Sequence, residues 1–283
     1  KIVARSRQMT GGGCSAAGVR YDGTVQIRNV RPEFIGPLTA TTAKCDAQKL
    51  ALDAPVINGK VQFTEAFDRW IGDVAIAAKS AQANKRRADG VSGKLAFNGS
   101  QQRTEYDLAL TKAALRMPEL SMRNLAGTAE GTLSISDAGL ALTARGDAQL
   151  TGTSLPQSML PSMDQLVRGT KPTPVGPVVA RLDPALRSAI RSFDGTLNFD
   201  IATAPAGSKV AVDRLFVRSA SGVILRQQAE FALADGRLSN PVSLTMTGGD
   251  LPTGKVQLRQ QSQGWAGTLN LEPYSAPGGT IHI

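Results

Sequence analysis

The chain has 283 residues and a net charge of +9; 41% of its residues are hydrophobic but only 5% are aromatic. A basic surface favours anionic partners such as lipid headgroups or acidic glycans, or it simply keeps the protein soluble. Nucleic-acid binding is disfavoured, because base stacking needs aromatic side chains interleaved with cations. The sequence has no apolar run of about 18 residues to span a bilayer and no recognisable signal peptide.

The two cysteines, Cys14 and Cys45, both lie in the first segment of the chain. In an oxidising compartment they could pair, closing a loop of about 32 residues and stabilising the fold by about 3–4 kcal/mol in the chain-entropy account. Two free buried thiols are the alternative. The spacing matches no metal motif and no Cys-x-x-Cys pattern.

A short motif recurs along the whole chain. It consists of Gly, then Thr or Lys, then Val or Leu, then any residue, then Phe, Ile or Leu. The alternation is typical of a strand with one apolar face, and we expect each glycine at the turn before its strand. A chain that repeats one strand pattern builds a long surface rather than a local active site. The copies occupy residues 23–27, 59–63, 93–97, 131–135, 195–199, 254–258 and 267–271.

Residues 21–151 read almost entirely as strands separated by turns at 58–59, 89–90, 98–99 and 137–139. This pattern predicts an antiparallel meander with one apolar and one hydrated face. Two stretches recur at the same offset: residues 59–63 match 93–97, and residues 73–76 match 107–110. The match suggests a repeating β unit.

Residues 154–193 interrupt the strand pattern. Leu155, Met159 and Met163 have helix spacing, and Asp183 with Pro184 is a good start for a second helix. We expect a short helical insert that caps one end of the sheet or plugs its open face. The predicted organisation is a mainly β protein with a repeat-β groove segment over 1–153, a helical insert or cap over 154–194, and a continuation of the repeat-β groove over 195–283.

Strand-like alternation resumes after the insert and continues to the last residues, 281–283. Because the chain also starts at Lys1, we expect a fragment or a processed product of a longer protein.

Groups suited to catalysis are sparse. The one histidine, His282, lies next to the terminus, which argues against a histidine base or a multi-histidine metal site. The carboxylates are dispersed and are more simply solvated partners of Lys and Arg. We therefore expect no enzymatic activity, no catalytic residue, no metal site and no cofactor.

Residues 131–135 followed by 139–142, and the stretch 217–225, resemble the AsmA-like repeat-β proteins of the TamB and YdbH type. The second stretch, with the helical insert before it, is most similar to the YdbH branch. The resemblance implies a long curved antiparallel sheet folded into an open apolar trough. It also implies a Gram-negative periplasmic location, a parent protein anchored in the inner membrane, and transport of phospholipids between inner and outer membranes.

The residue pattern is consistent with that implication. An antiparallel sheet with one apolar face needs a second layer over that face. Only the insert contains a sequence that is expected to form helices and could supply that layer. Acyl chains could fill the gap, since each methylene removed from water contributes about 0.8 kcal/mol. Basic side chains at the hydrated edge would attract headgroup phosphates.

We expect the acyl-chain groove to be lined by the apolar positions of the clearest strands. These positions are Val61, Phe63, Val74, Ile76, Leu95, Phe97, Leu108, Leu110, Leu133, Ile135, Leu140, Leu142, Leu197, Phe199, Leu244 and Leu269. The expected partners are phospholipid acyl chains, both membranes through parts of the parent protein outside this chain, and a small envelope protein; nucleic acid is not expected.

Two other functions remain open. The first is a structural or interaction module of a cell-envelope protein, either a β-sandwich or a β-solenoid, whose apolar face is covered by protein and which carries no lipid. The second is a glycan-processing or glycan-binding domain, which would need exposed aromatic rings near carboxylates. Trp70 and Trp265 are the only tryptophans available for that role.

Overall fold

The protein is mainly β. The computed structural model describes residues 1–11, 13–46, 49–100, 102–136, 139–157, 192–249, 252–261, 264–272, 274–276 and 279–281, with isolated positions between 168 and 191. Strands account for 76% of the structure and helices for 4%, which confirms the predicted fold class. Among the described residues, nineteen strands belong to one large antiparallel sheet and two form a separate hairpin.

The first eleven strands precede the insert. They are β1 (Ile2–Gly11), β2 (Cys14–Arg28), β3 (Arg31–Thr39), β4 (Thr42–Cys45), β5 (Leu50–Asp53), β6 (Val56–Phe63), β7 (Arg69–Ala83), β8 (Arg86–Ser100), β9 (Arg103–Arg116), β10 (Ser121–Ser136) and β11 (Gly139–Ser154).

Ten strands follow the insert. They are β12 (Ser192–Ala204), β13 (Gly207–Ser219), β14 (Ile224–Gln227), β15 (Phe231–Ala234), β16 (Arg237–Leu238), β17 (Val242–Thr247), β18 (Gly254–Gln261), β19 (Gly264–Leu271), β20 (Tyr274–Ala276) and β21 (Gly279–Ile281). Strands β20 and β21 form the separate hairpin.

The chain divides into two compact units. The first consists of Lys1–Ala148 and Ile201–Gly207, and the second of Gln149–Asp200 and Ser208–Ile283. Both β11 and β12 therefore contribute residues to each unit. The described residues of the first unit contain strands and turns but no helix.

Six strands of the first unit close a ring of pairings in the order β2, β3, β6, β7, β5 and β4. Strands β3 and β4 follow one another along one edge of β2, because β1 occupies the other edge. Strands β5 and β6 do the same along β7, whose other edge pairs with β8. A left-handed residue, Ala54, marks the break between β5 and β6, so each pair acts as one long strand interrupted by a bulge.

The predicted repeat corresponds to two successive hairpins, β6–β7 and β8–β9. Their registers are not the same: Gly59 faces Val74 in the first, whereas Leu95 faces Leu108 and Gly93 faces Leu110 in the second. The difference is two residues. An even shift keeps every side chain on its original face, which explains why the apolar alternation survives it.

Strands β11 and β12 border the region predicted as a helical insert, although the first residue and the last three residues of that region belong to these strands. Strand β11 ends at Ser154 and β12 begins at Ser192. Between them, residues 168–169, 176–177 and 187–188 are helical. Most of the two helices predicted over 154–168 and 183–194 lies outside the described residues.

In the second unit a side chain takes the place of backbone hydrogen bonds between two strands. Strands β14 and β15 pair with successive parts of β13, and the chain leaves the ladder between them. The Gln227 amide donates to the Val212 carbonyl at 2.6 Å and to the Ala229 carbonyl at 2.8 Å, and its oxygen accepts from the Leu215 N–H. Main-chain groups left unpaired by the break are thereby satisfied.

Candidate functional site

An apolar face runs across the sheet of the first unit. Residues opposite each other on adjacent strands project to the same side of a sheet. One such row contains Gly59, Val74, Leu95, Leu108 and Ala129, each facing the next across one strand pair. The row crosses β6 to β10 without a polar side chain.

Three neighbouring rows belong to the same face, because they are displaced from the first by even numbers of residues. They are Ile57–Ile76–Gly93–Leu110–Gly127, Val61–Gly72–Phe97–Tyr106–Gly131 and Phe63–Trp70–Gly99–Thr104–Leu133. Together the four rows define what we call the apolar face. Every groove residue predicted from Val61 to Leu133 lies on it.

The opposite face is polar. Lys60 faces Asp73, and Lys94 lies between Ala75 and Ala109. All five residues alternate along their strands with members of the apolar face, as the sequence pattern requires. The two faces of the sheet therefore differ sharply in chemistry.

Except for Gly254, which begins β18, the glycines of the repeated motif lie within strands and not at turns, so for them that expectation is wrong. Gly59, Gly93 and Gly131 are interior residues of β6, β8 and β10, and all three lie on the apolar face. A Cβ on Gly59 would collide with the backbone at Asp73, and one on Gly131 with the carbonyl of Thr143. Adjacent strands approach too closely at these positions for any side chain, which is the usual reason for glycine inside a strand.

Large side chains cover the glycines from neighbouring strands. Gly72, Phe97, Tyr106 and Gly131 face one another in sequence across β7 to β10, so two aromatic rings stand between two glycines. The Tyr106 hydroxyl donates to the Thr143 carbonyl at 2.8 Å. Alternation of glycine with a cross-strand aromatic residue fits side chains into a curved sheet and pins its register.

The aromatic residues look scattered in the sequence, yet several form a chain in space. Ring centroids are 6.0 Å apart between Tyr21 and Phe34, 5.8 Å between Phe34 and Phe63, and 5.5 Å between Phe63 and Phe67. Nearby, the Trp70 indole N–H donates to the Thr104 hydroxyl at 3.2 Å, across Gly99. No local sequence pattern predicts this grouping, because the grouping depends on the pairing of β2, β3, β6 and β7.

The apolar face is only partly covered. Val74 is buried, but the other predicted groove residues from Val61 to Leu133 keep intermediate exposure. Leu38 and Ile57, which face each other and extend the row containing Ile76, are 40% and 41% exposed. Apolar surface on this face therefore remains accessible to solvent.

The remaining predicted groove residues have mixed environments. Ile135 and Leu140 are exposed and Leu142 is partly covered. In the second unit, Leu197 and Phe199 are partly covered. Leu244 is buried, as is Met246 on the same strand. The side chain of Leu269 lies outside the described residues.

Cys14 and Cys45 form a disulfide. They are directly opposite each other on β2 and β4, with a Cα–Cα distance of 4.1 Å. Of the two states that the sequence left open, the structure therefore contains the paired one. The bond ties the start of β2 to the β4–β5 hairpin.

Among the described residues, one ion pair joins a buried carboxylate to an exposed lysine. Glu33 is buried on β3, and the Lys60 ammonium lies 2.6 Å from its carboxylate. The hydroxyl of Thr64 donates to Asp68, which lowers the pKa of that carboxyl. Nowhere in the described part of the chain do three His, Cys, Asp or Glu side chains gather as metal ligands.

Within the described residues, no helix has the length and apolar character needed to cross a membrane. Comparison with known protein families, with curated proteins and with solved structures finds no match to this chain.

Proposed function

We propose that this chain is a segment of a bridge-like lipid-transfer protein of the Gram-negative cell envelope. In this proposal the apolar face is the wall of a groove in which phospholipid acyl chains travel between the inner and outer membranes. The protein acts as a carrier surface and not as an enzyme. The resemblance of its strand motifs to AsmA-like proteins of the YdbH type points in the same direction.

The observation that carries the proposal is the incomplete cover of the apolar face. A sandwich would hide that face under a second sheet, yet Leu38 and Ile57 stay about two-fifths exposed. Contiguous apolar surface exposed to water marks a binding site. Hydrocarbon suits this one, because burial of each methylene contributes about 0.8 kcal/mol without specific contacts.

The disulfide supports the proposed location. Disulfides such as Cys14–Cys45 persist in oxidising compartments, and the periplasm is one of them. The proposal does not require the chain itself to span either membrane.

Lipid extraction from the purified protein tests the proposal. We expect phospholipid in an organic extract of the wild type. The double variant Leu95→Asp/Leu108→Asp should lose most of it, because two carboxylates would face each other in the middle of the apolar face. Mass spectrometry identifies the lipid, and circular dichroism checks that the sheet is retained.

The sheet offers a matched control. Ala75 and Ala109 lie on the opposite face of neighbouring strands, and both are exposed beside Lys94. The double variant Ala75→Asp/Ala109→Asp should therefore fold and keep its lipid. A wild-type extract without lipid, or equal lipid in both double variants, would contradict the proposal and favour a structural module of the envelope.

A further inference from the structure

The two ends of the first unit's sheet differ in their exposed side chains. Successive hairpins of an antiparallel meander turn at alternate ends, so the β2–β3, β6–β7, β8–β9 and β10–β11 hairpins share one end. We call it the arginine end. The β1–β2, β4–β5, β7–β8 and β9–β10 hairpins share the other.

Large apolar side chains project from the arginine end. Val30 in the β2–β3 turn is 63% exposed and Phe67 in the β6–β7 turn is 51% exposed; Ile27 and Ile135, in the strands just before two of these turns, are 73% and 56% exposed. At the opposite end the described turn residues contribute no exposed large hydrophobic side chain, although Met9, two residues before the end of β1, is 55% exposed. Exposed apolar side chains in the turns themselves at one end only indicate a surface that leaves water.

Two of these tip residues also have a backbone conformation that is unfavourable for their residue types. Val30 and Phe67 have φ values of 57° and 56°, in the left-handed region that favours Gly or Asn. At the opposite end the left-handed turn residues are the polar Lys49 and Asn84. Bulky apolar residues retained in an unfavourable conformation point to a functional role for the tips.

A row of arginines lies directly behind the tips. Arg28 faces Arg31, Arg69 faces Ser100, and Arg103 lies one strand further on. These strand-end positions lie in one line across the sheet. The N–H of Thr64, the residue that follows β6, donates to the carbonyl of Arg69 and so aligns the end of β6 with the start of β7. The row therefore presents four guanidinium groups along one edge of the unit.

The charge of this row is only partly neutralised. Arg103 is 3.6 Å from Glu105, whereas no described carboxylate is within ion-pairing distance of Arg28, Arg31 or Arg69. The nearest acidic groups in sequence are Glu33, which pairs with Lys60, and Asp68, which accepts a hydrogen bond from the Thr64 hydroxyl and is also influenced by the charge of Arg69.

A cleft of about 290 Å³ opens between two of the arginines. Arg31 and Arg69 line this cleft. The other residues that line it are Gln62, Phe63, Thr64, Trp70, Ile71 and Asn98. Guanidinium and amide N–H donors around one opening are suited to the oxygens of a phosphate group.

We propose that the arginine end docks on the surface of a lipid bilayer that contains anionic phospholipids. The tips Ile27, Val30 and Phe67 enter the boundary between headgroups and acyl chains, and the arginines behind them contact phosphates, one of them in the cleft. Basic residues flanking apolar ones are the usual composition of interfacial membrane sites. A second copy of the chain is disfavoured as the occupant, because two arginine rows would repel each other. This inference does not depend on the proposed transfer function.

Vesicle co-sedimentation of the full chain tests the inference. We expect binding to vesicles of phosphatidylglycerol and phosphatidylethanolamine, and much weaker binding to phosphatidylcholine alone. The variant Val30→Asn/Phe67→Asn should bind about tenfold more weakly or worse, since two apolar side chains no longer enter the bilayer. Asn suits left-handed turns, which offsets the loss of the ring contact between Phe67 and Phe63, so this variant should still fold.

The charge variants separate electrostatics from insertion. Arg31→Gln/Arg69→Gln should weaken binding by about fivefold per charge removed and reduce the preference for anionic vesicles. Lys49→Gln/Lys85→Gln, at the opposite end, removes the same charge and should bind nearly as the wild type does. Absence of wild-type binding to anionic vesicles, equal loss in the two charge variants, or full binding by Val30→Asn/Phe67→Asn would each overturn the inference. Lipid extraction from Leu95→Asp/Leu108→Asp tests the transfer function separately, since those residues are remote from the tips.

Discussion

Phe97 faces Gly72 across β7 and β8, and its ring occupies the space that a side chain on Gly72 would need. The pair shows how the apolar face is built. Large residues on one strand lie over glycines on the next, so the face holds rings and branched chains although its strands approach closely. The stability of the sheet should therefore depend on which glycine is replaced.

We expect a graded effect of Gly→Ala substitutions on the free energy of unfolding. Gly11→Ala should change it little, because a Cβ there meets nothing within 4 Å. Gly72→Ala should lower it by about 1–3 kcal/mol, since the Phe97 ring must move. Gly131→Ala should cost more than Gly72→Ala, because its new Cβ meets the backbone of Thr143. Urea unfolding measures all three, and equal values for Gly11 and Gly131 would contradict the description of the face.

Glu33 and Lys60 should be coupled. Lys60→Met leaves the buried Glu33 carboxylate without its charged partner, and we expect a loss of about 1–3 kcal/mol. Glu33→Gln in the Lys60→Met background should recover part of that loss, because the buried group is then neutral. A double-mutant cycle from urea unfolding measures the coupling; additive effects would show that the ion pair contributes nothing.

Tyr106 should titrate at unusually high pH. Burial raises the pKa of its phenol above the ordinary value of 10.0, because burial disfavours the charged form. The neutral phenol is therefore favoured in the folded state. The stability that protonated Tyr106 contributes is fully present below the pKa that its phenol has in the unfolded chain. It is lost as the pH rises through the pKa of the phenol in the folded state.

Near-ultraviolet absorbance titration, compared between the wild type and Tyr106→Phe, measures that pKa. We expect the variant to lack a tyrosine transition above the ordinary pKa and to lose less stability than the wild type at high pH. It should also be less stable near neutrality, since the hydrogen bond to the Thr143 carbonyl is gone. An unchanged alkaline titration would refute the assignment.

Reduction of the Cys14–Cys45 bond should lower the free energy of unfolding by about 3–4 kcal/mol in the chain-entropy account. Urea unfolding with and without reductant measures the difference. The double variant Cys14→Ser/Cys45→Ser serves as the control: it should resemble the reduced protein and show no response to reductant. The sequence contains no other cysteine, so a response in this variant would point to another cause.

Much of the fold could be predicted from local pattern. Alternation with a period of two identified the strands around Val61, Leu95, Leu108 and Leu133, because side-chain direction alternates along a strand. That all four lie on one face depends on the register between strands.

The roles of particular residues could not be predicted in this way. The motif glycines were expected at turns, since a turn is the commonest local reason for glycine, yet Gly59 and Gly131 are needed because a neighbouring strand approaches them. The exposed tips at Val30 and Phe67 also went unrecognised. Both positions have left-handed backbone, a conformation that their residue types disfavour.

The sequence by itself determined which side chains alternate and hence that the protein would be mainly β with one apolar and one polar face. Tertiary structure alone decided the register between strands, and with it the rows Gly72–Phe97–Tyr106–Gly131 and Arg28–Arg31 and the disulfide between Cys14 and Cys45. The physical reason is the range of the interactions. Alternation follows from the geometry of a single strand, whereas register depends on how side chains from distant segments pack together.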